Sequence, residues 1–472
     1  MRKKVVVAGA SGFIGSQLIE QLLPHYDVIG LTRYQKESEG NLTWRQCDLF
    51  SLLQAEHALR GADYAFYLVH SMMPTSHLTQ ASFEDMDLIL ADNFARAAAR
   101  EGLKHIVYLG GIIPNSKNLS RHLRSRQEVE ETLASHGVPV TTLRASVIVG
   151  PQGSSFQMIE KLVRRLPVML CPSWTRSLTQ PVALSDAIAA LSGVIGQGRY
   201  YHRAYDIGGA DIVSYLELLR MTAEAMGKKR LIVPVPFHSP KLSYFWLSVV
   251  TGSPVELTKP LVESLKDAMV ARNLELQQAL GQTPQRLRPA IRKALQEKEA
   301  LSLRAKARKK RKQYRAVKDD PELKDVRSVQ RLNLPPGKDA VWIAEKYTIW
   351  LPRYMRPFIR VRVDTNRRIR FFILGIAFPL LELSYSESRS TKDRTLFYIT
   401  GGLLSQNDNN LRGRLEFREV LGGRCVLAAI HDFTPSLPWF IYNQTQARAH
   451  LWVMHAFQRY LKNIDVMPVV RT

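Results

Sequence analysis

Three glycines at a spacing of three, Gly9-Ala10-Ser11-Gly12-Phe13-Ile14-Gly15, follow directly on the β-branched run Val5-Val6-Val7. A strand that turns at once into a helix needs a glycine at the turn. A second glycine lets backbone approach a phosphate, and a third lets the helix pack on the strand. The start of such a helix offers free amides and the positive end of its dipole. That is the chemistry of holding the pyrophosphate of a dinucleotide. The next apolar run ends in Thr32-Arg33-Tyr34. An acid there would favour NAD, whereas Arg33 suits a 2′-phosphate, so NADP is the expected cofactor and NAD the alternative. Cys47-Asp48-Leu49 sets a carboxylate where an adenine amino group can be read. Val69-His70-Ser71-Met72 ends the fourth run, which puts His70 and Ser71 on the crevice where a nicotinamide or substrate would lie. The same two residues serve equally well as a backbone-bonded histidine and a capping serine.

These positions require a parallel sheet. Short β-branched runs at Lys4–Ala8, Asp27–Thr32, Leu42–Cys47, Tyr64–Val69, His105–Leu109 and Val140–Arg144 alternate with helical patterns such as Ile14–Leu23 and Phe83–Glu101. Alternation of this kind predicts an α/β, Rossmann-type doubly wound sheet covered on both faces. From about Pro151 the pattern becomes mixed, with helices expected at Ser155–Leu166, Ser185–Ile195, Ser214–Met226 and Pro260–Ala271. A basic run, Arg304 to Arg315, then interrupts the apolar periodicity. Beyond Pro335-Pro336-Gly337 the chain turns β-rich, with strands expected at Ala340–Tyr347, Phe358–Val363, Arg368–Ile373, Leu381–Glu387, Thr395–Thr400, Gly413–Val420 and Cys425–Phe433. A helix over Ile441–Lys462 closes it. The expected division is therefore 1–299 for the nucleotide-binding sheet with substrate-side elements from about 151, 300–337 for a basic linker, and 338–472 for an appended α+β domain.

With 472 residues the chain has room for two or three domains at ~150 residues each. An excess of 66 Lys and Arg over 42 Asp and Glu gives +24, which calls for anionic company. A dinucleotide meets part of that call, and a peripheral anionic membrane or an acidic protein partner would meet the rest. A nucleic-acid role would rest on Arg308–Arg315 alone and is not favoured, since such a block reads first as a solvated connection. Cys47, Cys171 and Cys425 show neither a disulfide framework nor metal-ligand spacing. No metal is expected, and a reducing, cytoplasmic setting is, with attachment to the cytoplasmic face of a membrane left open.

The glycine loop, Val69-His70-Ser71-Met72, His122-Leu123-Arg124-Ser125-Arg126, Leu143 to Gly150 and Gly153-Ser154-Ser155-Phe156 together resemble the atypical short-chain dehydrogenase/reductase superfamily, in its NmrA-like and nucleoside-diphosphate-sugar epimerase-like branch, over about residues 4–295. The resemblance implies a serine after the fifth strand and a Tyr-x-x-x-Lys pair on the next helix, where tyrosine moves the proton and lysine holds the nicotinamide ribose. Here the strand ends Leu109-Gly110-Gly111, and His122 and Arg126 stand where the pair belongs. Four residues apart, they share a helix face. His122 can shuttle a proton and Arg126 can hold cofactor oxygens.

The strand-rich segment after 338 weakly resembles the START/polyketide-cyclase helix-grip fold. Its aromatics Trp439, Phe440, Tyr442, Trp452 and Phe457 would line a ligand cavity or fill a core. Two functions remain open on the sequence. One is an NADPH-dependent oxidoreductase on a small carbonyl or sugar-like substrate. The other is a dinucleotide-sensing regulator, or a respiratory-complex assembly or accessory protein, without turnover.

Overall fold

The computed structural model describes residues 2–70, 78–116, 118–235, 262–311, 326–357, 359–405, 413–438, 442 and 444–466. Ser71, Trp439, Phe440 and the Asn407–Asn410 turn lie outside them. The chain divides into two compact units, Met1–Met73 with Ala91–Ala316, and Pro74–Leu90 with Val317–Thr472.

The chain opens with β1 (Lys4–Ala8), α1 (Phe13–Leu22), β2 (Asp27–Thr32), β3 (Leu42–Gln46), α2 (Leu52–Leu59) and β4 (Tyr64–Tyr67). β5 (Leu78–Gln80) belongs to the second unit, and the division falls inside α3 (Phe83–Arg100). Next come β6 (His105–Gly111), α4 (Arg121–Ala134), β7 (Val140–Ala145), β8 (Ile148–Val149), α5 (Ser154–Arg165) and β9 (Val168–Cys171). β10 (Leu178–Thr179), β11 (Val182–Ala183), α6 (Leu184–Val194), β12 (Arg203–Ile207), β13 (Val213–Ser214), α7 (Tyr215–Ala225) and β14 (Leu231–Pro234) follow. Helices Glu275–Ala279 and Leu287–Arg311 come last in this unit.

Seven of these strands form one parallel sheet in the order β12-β7-β6-β4-β1-β2-β3. The strand sequence reverses direction between β1 and β4, so the carboxyl ends of those two strands open the crevice in which such sheets bind ligands. Val5 and Val7 on one face of β1 pack with Leu18, Ile19, Phe66, Val107, Leu143 and Leu191, all buried. This apolar layer fixes α1 and α6 against the sheet, and α1 carries the glycine loop at its start. The helix expected at Pro260–Ala271 is helical only at 262–264 among its described residues, where Met269 instead bridges to Thr179.

The second unit is built on an eight-stranded sheet. Its strands are β5, β15 (Val326–Asn333), β16 (Ile359–Val363), β17 (Arg368–Ile373), β18 (Leu381–Tyr385), β19 (Arg394–Gly401), β20 (Arg414–Val420) and β21 (Cys425–Phe433), in the order β16-β17-β18-β19-β20-β21-β15-β5. All neighbours are antiparallel except β5 with β15. β15 thus lies within the stretch expected as linker. Ala340–Tyr347, expected as a strand, is the start of a helix, Ala340–Tyr354. Its aromatic and β-branched composition suggests strand, yet Ala340, Ile343, Ala344, Tyr347 and Leu351 form one buried helical face, and the Asp339 carboxylate caps it by accepting from the Trp342 amide at 2.8 Å. This helix and the last one, Gln446–Val466, share a core with the sheet. Tyr347 and Trp350 each bring their ring centroid to 5.1 Å from that of Phe457 between them. Phe457 and Tyr442 are core residues, whereas Trp452 is half exposed and stands 4.9 Å from the Tyr354 ring.

A buried histidine in the first unit makes its stability depend on pH. At the amino end of β6, His105 Nδ1 accepts from the Gly196 amide at 3.1 Å, so Nε2 carries the proton toward Thr141 Oγ1 at 2.8 Å. Burial, with a smaller effect of nearby His202, pushes its pKa down to about 4. Unfolding restores the ordinary value near 6.5, so the unfolded chain takes up the extra proton between these limits. The contribution is whole above about pH 6.5 and is lost as pH falls toward 4. At pH 5 the loss has reached about 2 kcal/mol. The urea midpoint of the parent should therefore fall more steeply from pH 7 to pH 5 than that of His105→Gln, which keeps an acceptor and a donor but no titration. Parallel profiles would refute the assignment.

Candidate functional site

The turn from β1 into α1 is set by close backbone contacts. Gly9 adopts φ +87°, and a Cβ there would stand 2.9 Å from the carbonyl oxygen of Leu68, just beyond β4. A Cβ on Gly15 would fall 2.2 Å from the Gly9 oxygen, so α1 can approach the strand only with glycine at this position. At Gly12 the nearest atom to a Cβ is the Gly9 oxygen, at 3.1 Å, and nothing else lies within 4 Å. The loop is thus closed on its protein side and open at Gly12. No side chain caps the start of α1 there. Phe13 turns away and packs on Gly150 and Gly153, where Cβ atoms would meet its ring at 2.4 and 3.3 Å. Ala10 is buried, and Ser11 is exposed on the open side of the loop.

A cation that the glycine motif does not announce completes this corner. Lys36 donates from Nζ to Ser11 Oγ at 3.1 Å and lies 4.2 Å from the centroid of the Trp44 ring. Trp44 in turn leans on Gly30 of β2, where a Cβ would meet its ring at 2.7 Å. Arg33 is exposed at the end of β2, beside the Tyr34 ring. Two cations therefore flank the place where the adenosine half of a dinucleotide would lie. Asp48 turns inward: its carboxylate accepts from the Phe50 amide at 3.1 Å as the chain enters α2. Its neighbour Leu49 is buried, and the Leu49 carbonyl accepts from the Asn93 amide group at 2.8 Å.

At the carboxyl ends of β4 and β6, residues distant in sequence converge. The rings of His70 and His122 have centroids 5.8 Å apart. Val69 leads from β4 to His70. His122 sits in the first turn of α4, whose start is capped by Ser120 Oγ accepting from the Leu123 amide at 3.3 Å. One turn later Arg126 is buried, and its carbonyl is 3.4 Å from Tyr108 Oη. His70 keeps an exposed side at the end of β4, yet desolvation of its ring, together with the Arg126 cation, holds its pKa well below the ordinary imidazole value. His70 is accordingly neutral near pH 7 and able to accept a proton.

The glycines at the end of β6 are not equally constrained. A Cβ at Gly110 would press on the Tyr108 ring at 3.0 Å, whereas one at Gly111 would make only ordinary contacts, the nearest being Arg126 Cγ and Leu123 Cδ2 at 3.8 Å. Crowding therefore does not account for the missing serine at Gly111. Ile112, Leu119, Leu123, Met269 and Ala271 form an apolar cluster, two of whose members, Leu119 and Leu123, lie close to His122 along the chain. Arg272 closes the same region, donating from its guanidinium to the Ile113 carbonyl at 3.0 Å and from its amide to Asp206 at 3.1 Å. Among the described residues no helix is long and apolar enough to cross a membrane, and no cluster of metal-ligating side chains occurs.

Comparisons with known proteins agree with this geometry. Residues 5–171 match the family model described as NAD dependent epimerase/dehydratase family. The auxiliary protein GraX of Staphylococcus aureus is 32% identical over 183 residues, which are 37% of this chain and 55% of that protein. The chain thus spans little more than half the length of that relative. An uncharacterized UDP-glucose epimerase, YtcB of Bacillus subtilis, is 24% identical over 272 residues, covering 48% of this chain and 83% of its own. Among solved structures, a nucleoside-diphosphate-sugar epimerase from Staphylococcus aureus has a TM-score of 0.50 at 16% identity, covering 61% of this chain and 99% of that one. The triphenylmethane reductase of Citrobacter sp., solved with NADP(H), also has a TM-score of 0.50, at 18% identity, over 62% and 100% of the two chains. Residues 5–171 thus match the NAD dependent epimerase/dehydratase family model, and the sheet that they build has the Rossmann-type topology.

Proposed function

We propose that the first unit binds NADP and serves an oxidoreductase acting on a small, largely apolar carbonyl or alcohol. The observation that carries this reading is the meeting of His70, His122 and Arg126 at the carboxyl ends of β4 and β6, beside an open glycine loop. A nicotinamide bound there would supply or accept the hydride. Gly12 and the uncapped start of α1 would hold the pyrophosphate. Arg33 and Lys36 would hold the 2′-phosphate, which supports NADP over NAD. Arg126, buried one turn from His122, would anchor ribose oxygens. His122 would exchange the proton with the substrate oxygen, and the neutral His70 ring would pass it onward. The apolar cluster of Ile112, Leu119, Leu123 and Met269 supports a substrate with little charge of its own.

A second reading has a specific observation in its favour. The relative at 32% identity is named an auxiliary protein, and the serine and tyrosine of the reductases are replaced here by Gly111 and His122. On that reading the same crevice holds the dinucleotide as a ligand, and its occupancy rather than turnover is the output. For the second unit, we propose the helix-grip fold: one strand, a helix, six antiparallel strands and a last helix on the shared core support it.

Two expected outcomes follow. Arg33→Asp should weaken NADPH binding by at least about tenfold, and Lys36→Ala by a smaller factor, while NADH affinity changes little, as loss of charge-assisted bonds worth about 1.5–3 kcal/mol requires. Calorimetry with both cofactors measures this, and equal losses for NADPH and NADH would overturn the 2′-phosphate assignment. In a screen of carbonyl compounds with NADPH, His122→Ala should lower turnover by about 10²–10⁴ at unchanged cofactor affinity. Parent-like turnover in that variant would remove His122 from the chemistry. Tight NADPH binding with no consumption across the screen, and a partner whose binding responds to NADPH, would favour the auxiliary reading.

A further inference from the structure

Beyond the crevice, the second unit carries an edge whose composition no core or cofactor explains. Among the described residues β16 is the outermost strand of its sheet and pairs with β17, with Arg360 opposite Phe372 and Arg362 opposite Arg370. Val361 and Phe371 pack against the core on one face of this hairpin. The other face presents Arg360, Phe372 and Arg362, with the Arg362 guanidinium 5.3 Å from the centroid of the Phe372 ring. Arg370 is satisfied by Asp364 and Glu382, and Arg367 lies near Glu345. Arg356, Arg360 and Arg362 are exposed and pair with no carboxylate among the described residues.

The chain leaves β17 through Leu374-Gly375-Ile376-Ala377-Phe378-Pro379 before entering β18, and this loop is apolar throughout. Its side chains do not fold back. Leu374 is 66% exposed, Ile376 42% and Phe378 69%. Leu403, whose amide donates to the Pro379 carbonyl at 3.0 Å, adds a neighbouring side chain that is 53% exposed. Single exposed leucines are ordinary, but four large apolar groups on one loop and its hydrogen-bonded neighbour are not. Arg360 stands across the strand pair from Phe372, two residues before the loop begins, so uncompensated cations and projecting hydrocarbon share one rim.

We propose that this rim, Arg356, Arg360 and Arg362 with Leu374, Ile376, Phe378 and Leu403, docks the protein on an anionic phospholipid surface. The guanidinium groups meet lipid phosphates, and the loop side chains enter the boundary between headgroups and acyl chains. Charge complementarity selects the occupant: the rim's cations meet no carboxylate among the described residues, and its apolar groups are mainly aliphatic. A nucleic-acid surface would call for aromatic platforms on which bases stack, and a groove of cations following a phosphate backbone. The loop supplies one aromatic ring, Phe378.

The test uses the full-length chain and sedimentation with sucrose-loaded vesicles. The protein should pellet with vesicles of phosphatidylcholine and phosphatidylglycerol, pellet far less with phosphatidylcholine alone, and be released by raised salt. At about fivefold per charge near an anionic surface, Arg360→Glu with Arg362→Glu should weaken binding by at least tenfold. Leu374→Ser with Ile376→Ser and Phe378→Ser should cause a comparable loss that low salt does not restore. Both variants should keep the parent's thermal transition and NADPH affinity, which separates loss of docking from loss of folding. In Phe378→Trp, brominated acyl chains should quench the new fluorescence in phosphatidylglycerol vesicles. Failure of the parent to pellet would overturn the proposal, as would parent-like pelleting by both variants. So would retention on nucleic acid, or self-association, that the same substitutions abolish while vesicle binding is absent.

Discussion

The approach of α1 to β1 is the contact on which the first unit's chemistry depends. Only hydrogen fits at Gly15, because the Gly9 carbonyl occupies the place of a side chain, and Gly9 itself must take a positive φ under the Leu68 carbonyl. These two constraints force the chain to reverse within a few residues. As a result, α1 begins with uncapped amides at the mouth of the crevice rather than at the surface of the sheet. The burial of Leu18, Ile19 and Leu22 of α1 then holds that mouth in place against the sheet. Arg33 and Lys36 lie on the β2 side of this mouth, outside the turn itself.

The other half of the crevice rests on electrostatics. A buried guanidinium is costly unless bonded, and Arg126 occupies the position from which a lysine ordinarily assists a tyrosine. Arginine cannot give up its proton, so it cannot join the relay and acts only as a fixed positive charge. Desolvation of the His70 ring, with this charge added to it, lowers the His70 pKa and leaves the ring neutral. A permanent cation beside the His70 imidazole lowers its affinity for a proton, so the ring rests neutral and a proton placed on it is given up readily.

Much of this is legible in the sequence because it is local. The glycine spacing, the alternation of β-branched runs with helical patterns and the position of His70 at a strand end all depend on residues close together in the chain. The i, i+4 spacing of His122 and Arg126 likewise puts them on one helix face from sequence alone. Lys36 is not legible, because nothing in its neighbourhood says that its side chain reaches Ser11 across the β2–β3 connection. The helix Ala340–Tyr354 reads as strand in its first half because its composition favours strand, although Asp339 and the spacing of its buried face both favour helix. β15 is hidden by the charges in Val326–Asn333, some of which face other polar groups: Arg331 meets Asp85 at 2.8 Å, and Gln330 donates to the Gln80 carbonyl at 2.9 Å. Strand pairing with a distant segment leaves no periodic trace when the exposed and buried residues are both polar.

The second unit shows the same effect at its most costly. Glu416 of β20 is fully buried, with Arg394 at 2.7 Å, Arg418 at 2.8 Å and His431 at 2.8 Å. Burial alone would raise its pKa, but the two guanidinium groups outweigh burial and hold it well below the usual carboxylate range. His431, buried beside them, falls to about 4, so the cluster keeps two arginines, one carboxylate and a neutral imidazole. Buried ion pairs seldom add net stability over apolar packing of the same volume. What this cluster does control is register. Along β20, Leu415 and Phe417 face the apolar core while Glu416 and Arg418 face the opposite side, and β19 and β21 supply Arg394 and His431 to match. A slip of one residue in β20 would drive Glu416 and Arg418 into the layer of Tyr347 and Phe457 and strand the remaining charges. Because the penalty for that slip far exceeds what an all-apolar strand would incur, the polar face specifies the pairing of three central strands, and with it the outer hairpin of β16 and β17 that continues from them.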